Sequence, residues 1–222
     1  MSNQELKVEN FFSSFAPDWD TLYGAKRNVL WRLFDATFRR DVYERYAFTF
    51  EAMGKDLRGK TVMDAGCGNG IYCIEAAKRG SSRVLGIDVA PGMIQIARQS
   101  ATAEGVGAQC EFRVGQFPEI AASIHEQFDY IILTGVLDYI QDTAAFLRAF
   151  KPLVRQGLIA SVPGRRPLRY FLRRTRYRWL GRPDVYHYTR EDTDRMFAEA
   201  GMAIQKIAYW PHSGGCYMVV AR

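Results

Sequence analysis

The sequence feature that most constrains the fold is residues 62–70, which read V-M-D-A-G-C-G-N-G. They predict an apolar strand that ends in a tight glycine loop, and a helical pattern from Ile71 to Arg79 follows at once. Glycine tolerates positive φ and lets the backbone approach a ligand closely. The first amides of the helix have no partner within it and can bind that ligand. This strand–loop–helix unit therefore predicts an open α/β sheet that binds a nucleotide-like molecule.

Two acidic residues indicate which nucleotide-like molecule the loop accepts. Asp64 directly precedes the loop, where a carboxylate would repel a pyrophosphate but attract an ammonium or sulfonium group. Ile71 occupies the position of the third glycine of the dinucleotide fingerprint. Asp88 ends a second apolar strand, residues 84–88, and its carboxylate can accept hydrogen bonds from both ribose hydroxyls. Each such charge-assisted bond contributes about 1.5–3 kcal/mol.

These two stretches carry a family resemblance. Residues 62–70, together with residues 86–93 (G-I-D-V-A-P-G-M), resemble motifs I and II of the class I S-adenosylmethionine (SAM)-dependent methyltransferases. The resemblance spans about residues 60–162 and extends only loosely into the flanks. It implies a Rossmann-like α/β fold with a seven-stranded, mostly parallel sheet, an antiparallel last strand, helices on both faces and an N-terminal helical cap.

The resemblance also implies the cofactor and the residues that hold it. SAM would be the cofactor and S-adenosylhomocysteine (SAH) the product, with no metal, since the enzyme mainly supplies proximity and alignment. Motif I would meet the amino acid end of SAM and Asp88 its ribose. Gln116 stands where the family often has an aspartate that binds the adenine amino group, and its amide oxygen can still accept that bond. The predicted cofactor-binding set is Asp64, Gly66, Cys67, Gly68, Asp88, Val89, Met93, Gln116, Phe117 and Thr134.

Two residues of this set have a structural alternative. Met93, which the resemblance places against the adenine, is also explained as a core methionine. Cys67 is explained as a small residue that fills the loop, and less well as a redox-sensitive thiol.

The candidate catalytic residues gather around the fourth predicted strand, residues 128–134. Asp138 and Tyr139 follow its C-terminal end, where ligands of open α/β sheets bind. His187 and His212 can reach the same edge from later segments. An oxygen nucleophile needs its proton removed, usually by a histidine or a carboxylate, whereas acidic hydroxyls hardly need a base. For each of the four residues, a packing or hydrogen-bonding role is an equal alternative.

The chain is predicted to be one domain built from four segments. Residues 1–55 form the helical cap, 60–162 the SAM-binding core, 164–188 a basic arm and 189–222 a helix with a closing hairpin. Aromatic residues in 5–23 recur every three to four positions, which predicts a helical face that either packs on the sheet or forms a lid over the site. Thr189, with Asp192 three residues later, predicts the start of a helix over 190–200.

Apolar stripes predict the other helices. Residues 26–53 predict one long helix or two, which Gly54 can end, and Gly80 can end the helix after the glycine loop. Residues 142–152 predict a further helix, which leads to a strand over 157–162.

The basic arm dominates the charge of the chain. The formal net charge is +6, and residues 164–182 hold eight arginines and no acid, so the rest of the chain carries −2. Arginine pairs bidentately with carboxylates, so the arm could clamp an anionic small molecule. A solvated surface helix and a contact with nucleic acid or an anionic membrane are the alternatives. Interleaved aromatic residues favour nucleic acid, but no RNA-binding appendage accompanies the arm.

Composition and residue spacing disfavour membrane-spanning, secreted and disulfide-bonded classes of protein. No uncharged apolar run approaches the ~18 residues of a membrane span, and the N-terminus resembles neither a basic leader nor a signal peptide. The four cysteines show no C-x-x-C spacing, which fits a reducing cytoplasm without zinc sites or disulfides. We therefore expect a cytoplasmic protein.

The predicted function is methyl transfer from SAM to an oxygen, less favourably a nitrogen or carbon, of a small acceptor that carries a carboxylate or phosphate. Residues 134–140 (T-G-V-L-D-Y-I) and the later pattern Y-x-Y-T-x-E-D make the chain similar to the ubiquinone and Mg-protoporphyrin O-methyltransferase groups. The alternatives are an RNA-directed methyltransferase and a SAM-binding regulator without activity. A nicotinamide-dependent oxidoreductase is disfavoured by Asp64, by Ile71 and by the absence of a Tyr-x-x-x-Lys pair.

Overall fold

A computed structural model describes residues 6–10, 40–165, 183–210 and 215–222. Residues 6–10 are helical. The longer helices are α1 (Arg40–Met53), α2 (Ile71–Lys78), α3 (Pro91–Ala103), α4 (Thr143–Arg148) and α5 (Arg190–Glu199). The strands are β1 (Thr61–Ala65), β2 (Arg83–Asp88), β3 (Cys110–Val114), β4 (Phe128–Leu133), β5 (Val154–Pro163), β6 (Ile204–Trp210) and β7 (Cys216–Ala221). Short 3-10 turns cover Glu119–Ser123, Leu137–Tyr139 and Lys151–Leu153.

The strands form one seven-stranded sheet in the order β3-β2-β1-β4-β5-β7-β6. The first five strands in this order are parallel, and β7 runs antiparallel to both of its neighbours. The predicted Rossmann-like sheet with helices around it is therefore confirmed, whereas most of the predicted N-terminal helical cap lies outside the described residues. The chain order reverses between β1 and β4, and ligands of open α/β sheets bind at the carboxyl ends of strands beside such a switch point.

Helices cover both faces of the sheet because its central strands are almost continuously apolar. On one face, Phe146 and Leu147 of α4 and Phe197 of α5 pack over β4 and β5. On the other face, Phe50 of α1 and Ile94 of α3 pack against β1 and β2. Several of these side chains are fully buried. The two cores hold the strands in place and so position the described loops that follow β1, β2 and β4.

The helix boundaries agree with the predicted stop and start signals in most places. Gly54 and Gly80 follow α1 and α2 with φ of 96° and 94°, a backbone conformation that glycine adopts at no steric cost. Thr189 caps α5 in a capping box, in which the Asp192 amide donates to the threonine hydroxyl at 3.1 Å and the Thr189 amide donates to the Asp192 carboxylate at 3.0 Å.

The helix predicted over residues 142–152 is wrong in its length. Helix α4 ends at Arg148, and a separate 3-10 turn covers Lys151–Leu153. Pro152 explains the break, since proline lacks the amide hydrogen that would bond to the Arg148 carbonyl in a continued α-helix. Strand β5, predicted from Gly157, begins earlier, at Val154, which pairs with Phe128 across an irregularity in the register.

No helix within the described ranges has the length and apolar composition that crossing a bilayer requires.

A buried carboxylate closes the sheet at the edge opposite the predicted site. Asp129, 5% exposed, accepts hydrogen bonds from the Thr61 amide at 3.0 Å and from the Gln156 amide nitrogen at 2.8 Å. It joins β1, β4 and β5 before they reach the ligand-binding edge. We expect Asp129→Ala to lower the free energy of unfolding by about 2 kcal/mol, because the Thr61 amide loses its acceptor.

Urea unfolding measures the effect of Asp129→Ala, and binding of SAH serves as the second readout. Asp142→Ala is a suitable comparison, since it removes an exposed carboxylate that caps α4. An unchanged urea midpoint for Asp129→Ala, or loss of SAH binding without loss of stability, would contradict a purely structural role.

Candidate cofactor and active site

The glycine loop after β1 folds back onto the end of β2. The amides of Gly66 and Cys67 both donate to the Ile87 carbonyl, at 2.7 and 3.0 Å. Gly66, Gly68 and Gly70 have φ of 84°, 52° and 81°, so the turn needs the left-handed conformation at alternate residues. A Cβ atom built at Gly68 would have no described atom within 4 Å, so this part of the loop is open to a ligand.

Gly66 differs from Gly68 because a residue of a neighbouring loop occupies the space that a side chain at position 66 would need. A Cβ atom at Gly66 would lie 2.3 Å from Cγ2 of Val136, which follows β4. The loops after β1 and β4 are therefore in van der Waals contact only because residue 66 is glycine.

We expect Gly66→Ala to weaken SAH binding by more than tenfold and to lower the melting temperature, since it adds both a clash and strain at positive φ. Calorimetric titration and thermal unfolding check this. Gly59→Ala is the matched control, since Gly59 has φ of 72° but open space around it. If both variants lose SAH affinity equally, the contact with Val136 is not the cause.

Asp88 is held in place by the loop that it faces. Its Oδ2 accepts the Gly68 amide at 2.9 Å, and its Oδ1 accepts the Ala90 amide at 2.9 Å. Desolvation raises the pKa of this carboxyl, and the hydrogen bonds from Ala90 and Gly68 oppose that rise. A carboxylate has about four lone-pair sites, so acceptor capacity remains beside these backbone hydrogen bonds. The contact of Asp88 with the ribose stays a prediction.

Asp64 is the least satisfied charged group of the site. It is 1% exposed, its Oδ2 accepts a long hydrogen bond from the Cys73 thiol at 3.7 Å, and its Oδ1 has no partner among the described residues. Burial raises its pKa to about 7, against the lowering effect of the Cys73 thiol and with a further rise from the charge of Asp88. A buried acceptor without a donor is costly. A ligand with a cationic nitrogen would supply the missing donor.

The remaining predicted cofactor residues differ in how open they are to a ligand. Val89, Gln116 and Thr134 are half-buried at the ends of β2, β3 and β4. Met93 is 1% exposed and packs against Ala90, so its contact with adenine stays a prediction.

Cys67 and Phe117 turn their side chains into the protein. The sulfur of Cys67 would lie 3.0 Å from a Cβ atom at Gly86, so it fills space beneath the loop. The ring of Phe117 packs 4.3 Å from that of Phe150, measured between centroids. The backbone of these two residues, rather than their side chains, is therefore the part that borders the site.

Three of the four predicted catalytic candidates lie in adjoining segments. Asp138 and Tyr139 belong to the 3-10 turn after β4, and both are half-buried. The carbonyl of Asp138 accepts the Tyr186 amide at 2.8 Å, which brings the half-buried His187 to the same place. His212 lies outside the described residues, as does most of the basic arm.

One residue at the site was missed by sequence reasoning. Arg45 on α1 places its Nη1 3.8 Å from a Cβ atom built at Gly135, directly after β4. The ring of Tyr46, next to it, packs 5.6 Å from Tyr72 in the first turn of α2 and fixes the helix there. The apolar stripe of α1 predicted a helix, but a stripe does not show which polar residue beside it faces a ligand.

The comparisons with known proteins agree with this geometry. Residues 56–165 match the family model described as a methyltransferase domain. The ubiquinone biosynthesis O-methyltransferase of Neisseria meningitidis serogroup C is 36% identical over 100 residues, which are 45% of this chain and 42% of that relative. The chain thus spans less than half the length of this curated relative. With the two motifs and the strand order, these matches place it in the class I SAM-dependent methyltransferases, and the predicted family is confirmed.

Solved structures show the same fold at low identity. The magnesium protoporphyrin IX methyltransferase of Synechocystis, solved with bound SAH, superposes with a TM-score of 0.75 at 21% identity and 99% coverage of both chains. The geranyl diphosphate C-methyltransferase of Streptomyces coelicolor has a TM-score of 0.73 at 11% identity, over 99% of this chain and 97% of that one. The two proteins bind different acceptors, so the shared fold does not identify the acceptor here.

Proposed function

We propose that this chain transfers a methyl group from SAM to an oxygen of a small anionic molecule, with nitrogen or carbon as less favoured acceptor atoms. The observation that carries the proposal is the unpartnered, buried Oδ1 of Asp64 beside the open loop at Gly68. Asp64 would hold the cofactor ammonium, and Asp88 the ribose. When bound, SAM supplies an electrophilic methyl group, and the protein aligns it with the acceptor.

The oxygen acceptor is supported by the ubiquinone O-methyltransferase similarity. The anionic character is supported by the eight arginines of residues 164–182. The described residues Arg165 and Tyr188, on either side of most of this stretch, lie at the ligand-binding edge. Arginine recognises carboxylates and phosphates by paired hydrogen bonds. The described cysteines are all free, which supports the proposal of a reducing, cytoplasmic setting.

Titration calorimetry with SAH and with NADH, followed by a radioactive methyl-transfer assay on a panel of phenols and carboxylic acids, tests the proposal. We expect micromolar SAH binding and none for NADH. Failure to bind SAH would overturn it. Binding without turnover of any acceptor would support a SAM-binding regulator, and salt-dependent binding of RNA would support an RNA-directed enzyme.

Arg45 would complete the amino acid site of the cofactor. Asp64 on β1 pairs in register with Ile132 on the neighbouring strand β4. Arg45 approaches Gly135, which follows β4, so it lies beside the strand next to that of Asp64. An amino acid group could place its ammonium at Asp64 and its carboxylate at Arg45. We expect Arg45→Met to weaken SAH binding about tenfold, the effect of one charge-assisted hydrogen bond.

Arg45→Lys should recover part of the lost SAH affinity, because the positive charge is kept. Arg58→Met is the matched control, since Arg58 is 84% exposed and pairs only with Asp56 among the described residues. If Arg45→Met binds SAH normally but needs more acceptor for half-maximal rate, Arg45 serves the acceptor instead.

A further inference from the structure

The two ends of the basic arm are fastened together at the end of β5. The Tyr188 amide donates to the Pro163 carbonyl at 2.8 Å, and the Arg165 amide donates to the Tyr188 carbonyl at 2.9 Å. Gly164 and Tyr188 therefore form a short bridge of parallel-strand geometry. We name this pair of hydrogen bonds the clasp. The chain therefore leaves the ligand-binding edge after Arg165 and is back at the same point at Tyr188.

The side chain of Tyr188 connects the clasp to a second segment. Its hydroxyl donates to the Ile140 carbonyl at 3.0 Å and lies 2.7 Å from the hydroxyl of Thr143. A phenol has one hydrogen and also accepts, so it can donate to Ile140 while it accepts from Thr143. Burial raises the pKa of Tyr188, so the group stays protonated at neutral pH. Thr143 is 4% exposed, which makes this a hydrogen bond sheltered from water.

The segment that Tyr188 reaches is the turn that carries two of the catalytic candidates. Residues 137–139 form the 3-10 turn after β4, and Ile140 ends it. Two residues before Tyr188, the amide of Tyr186 donates to the carbonyl of Asp138 at 2.8 Å. The return of the arm and the turn after β4 are thus joined at two points, one through backbone atoms and one through the Tyr188 hydroxyl.

We propose that Tyr188 is a positioning residue for the acceptor, because its hydroxyl joins the base of the basic arm to the turn of Asp138 and Tyr139. The two segments would then form one wall of the acceptor site and move as a unit. This inference rests on the proposed methyltransferase function and extends it, since it assigns a role to a residue outside the predicted cofactor-binding and catalytic sets.

Hydrogen exchange followed by mass spectrometry tests the connection without any acceptor. In Tyr188→Phe saturated with SAH, we expect amides in 137–142 and 183–188 to exchange about tenfold faster, and those in 61–70 and 83–90 to be unchanged. Thr143→Val should loosen the same two segments less, because the hydrogen bond from Tyr188 to Ile140 remains. The double variant should resemble Tyr188→Phe, because that change already removes the hydrogen bond between the two hydroxyls.

Tyr130→Phe is the matched control, since it removes a phenol hydroxyl from the opposite part of the sheet, where Tyr130 pairs with Val62 and Gly157. We expect it to leave both segments unchanged. Unaltered exchange in 137–142 for Tyr188→Phe would overturn the proposal. Equal acceleration throughout the protein would overturn it as well, because it would show only a general loss of stability.

Kinetics separate positioning from packing. With 3,4-dihydroxybenzoate as the probe acceptor, we expect Tyr188→Phe to raise KM about tenfold, to lower kcat less than threefold and to leave the Kd of SAH within twofold. A lower kcat with unchanged KM would overturn the role in acceptor positioning. If the wild-type protein does not bind SAH, the proposed function fails, whereas the exchange of the apo protein still decides whether Tyr188 joins the two segments.

Discussion

Asp88→Asn is expected to weaken SAH binding by at least about 100-fold. Both carboxylate oxygens of Asp88 accept a backbone amide, from Gly68 and from Ala90. Asparagine has one oxygen, so its amide group would face one of these donors with another donor. The loop at Gly68 would shift, and the ribose would lose a charged acceptor. Each charged hydrogen bond contributes about 1.5–3 kcal/mol, so two of them account for the loss.

Calorimetric titration at low temperature measures the effect of Asp88→Asn while the protein is folded. We expect the variant to lose only about 1–2 kcal/mol of stability, because one backbone amide lacks its acceptor. Asp56→Asn is the control, since it changes a carboxylate that pairs with the exposed Arg58. A Kd for SAH within threefold of wild type would show that Asp88 does not hold the ribose.

The second large effect concerns Asp64 and its dependence on pH. Burial raises the pKa of this carboxyl to about 7. The hydrogen bond from the Cys73 thiol opposes this rise, and the charge of Asp88 adds to it. A cofactor ammonium favours the ionised form, so we expect SAH affinity to rise with pH up to about 7 and then to level off. Below a pH of about 7, the affinity for SAH should fall by nearly tenfold for each pH unit. Asp64→Asn should bind weakly at every pH and show no such titration.

Stability should change in the opposite direction. A carboxyl with a raised folded pKa binds protons that the unfolded chain has released, so its contribution is present below pH 3.8 and is lost as pH rises toward about 7. The loss is on the order of a few kcal/mol. We therefore expect apo Asp64→Asn to be at least as stable as wild type at pH 8 although it binds SAH poorly. Urea unfolding of the apo proteins at pH 5 and pH 8 tests this, and a wild-type protein that gains stability over this range contradicts it.

Local sequence patterns predicted an open α/β sheet with a glycine loop, and the family resemblance that they carry implied the seven strands and the cofactor. The glycine loop, the acid that ends β2 and the capping box at Thr189 each involve residues close together in the chain. Their geometry follows from backbone conformation and spacing. The break before Pro152 also has a local cause, since proline lacks the amide hydrogen that would continue the helix predicted over 142–152.

The features of the site that the sequence did not predict depend on contacts between residues that are distant in the chain. The contact of Gly66 with Val136, the approach of Arg45 to Gly135 and the hydrogen bond of Tyr188 to Ile140 each join residues that are 48 or more positions apart. No periodicity in the sequence encodes such a pairing. The role of each catalytic candidate also depends on such contacts, since proton transfer depends on where a side chain lies relative to the acceptor.

The clasp at the base of the basic arm has a consequence for how such a protein can diversify. Since the ends of the arm are hydrogen-bonded neighbours, a change in its length does not alter the spacing between β5 and α5. Each doubling of loop length costs only about 0.6 kcal/mol in closure entropy. We therefore expect that sequences of other lengths and charges can replace residues 166–182 while the glycine loop and the sheet stay unchanged.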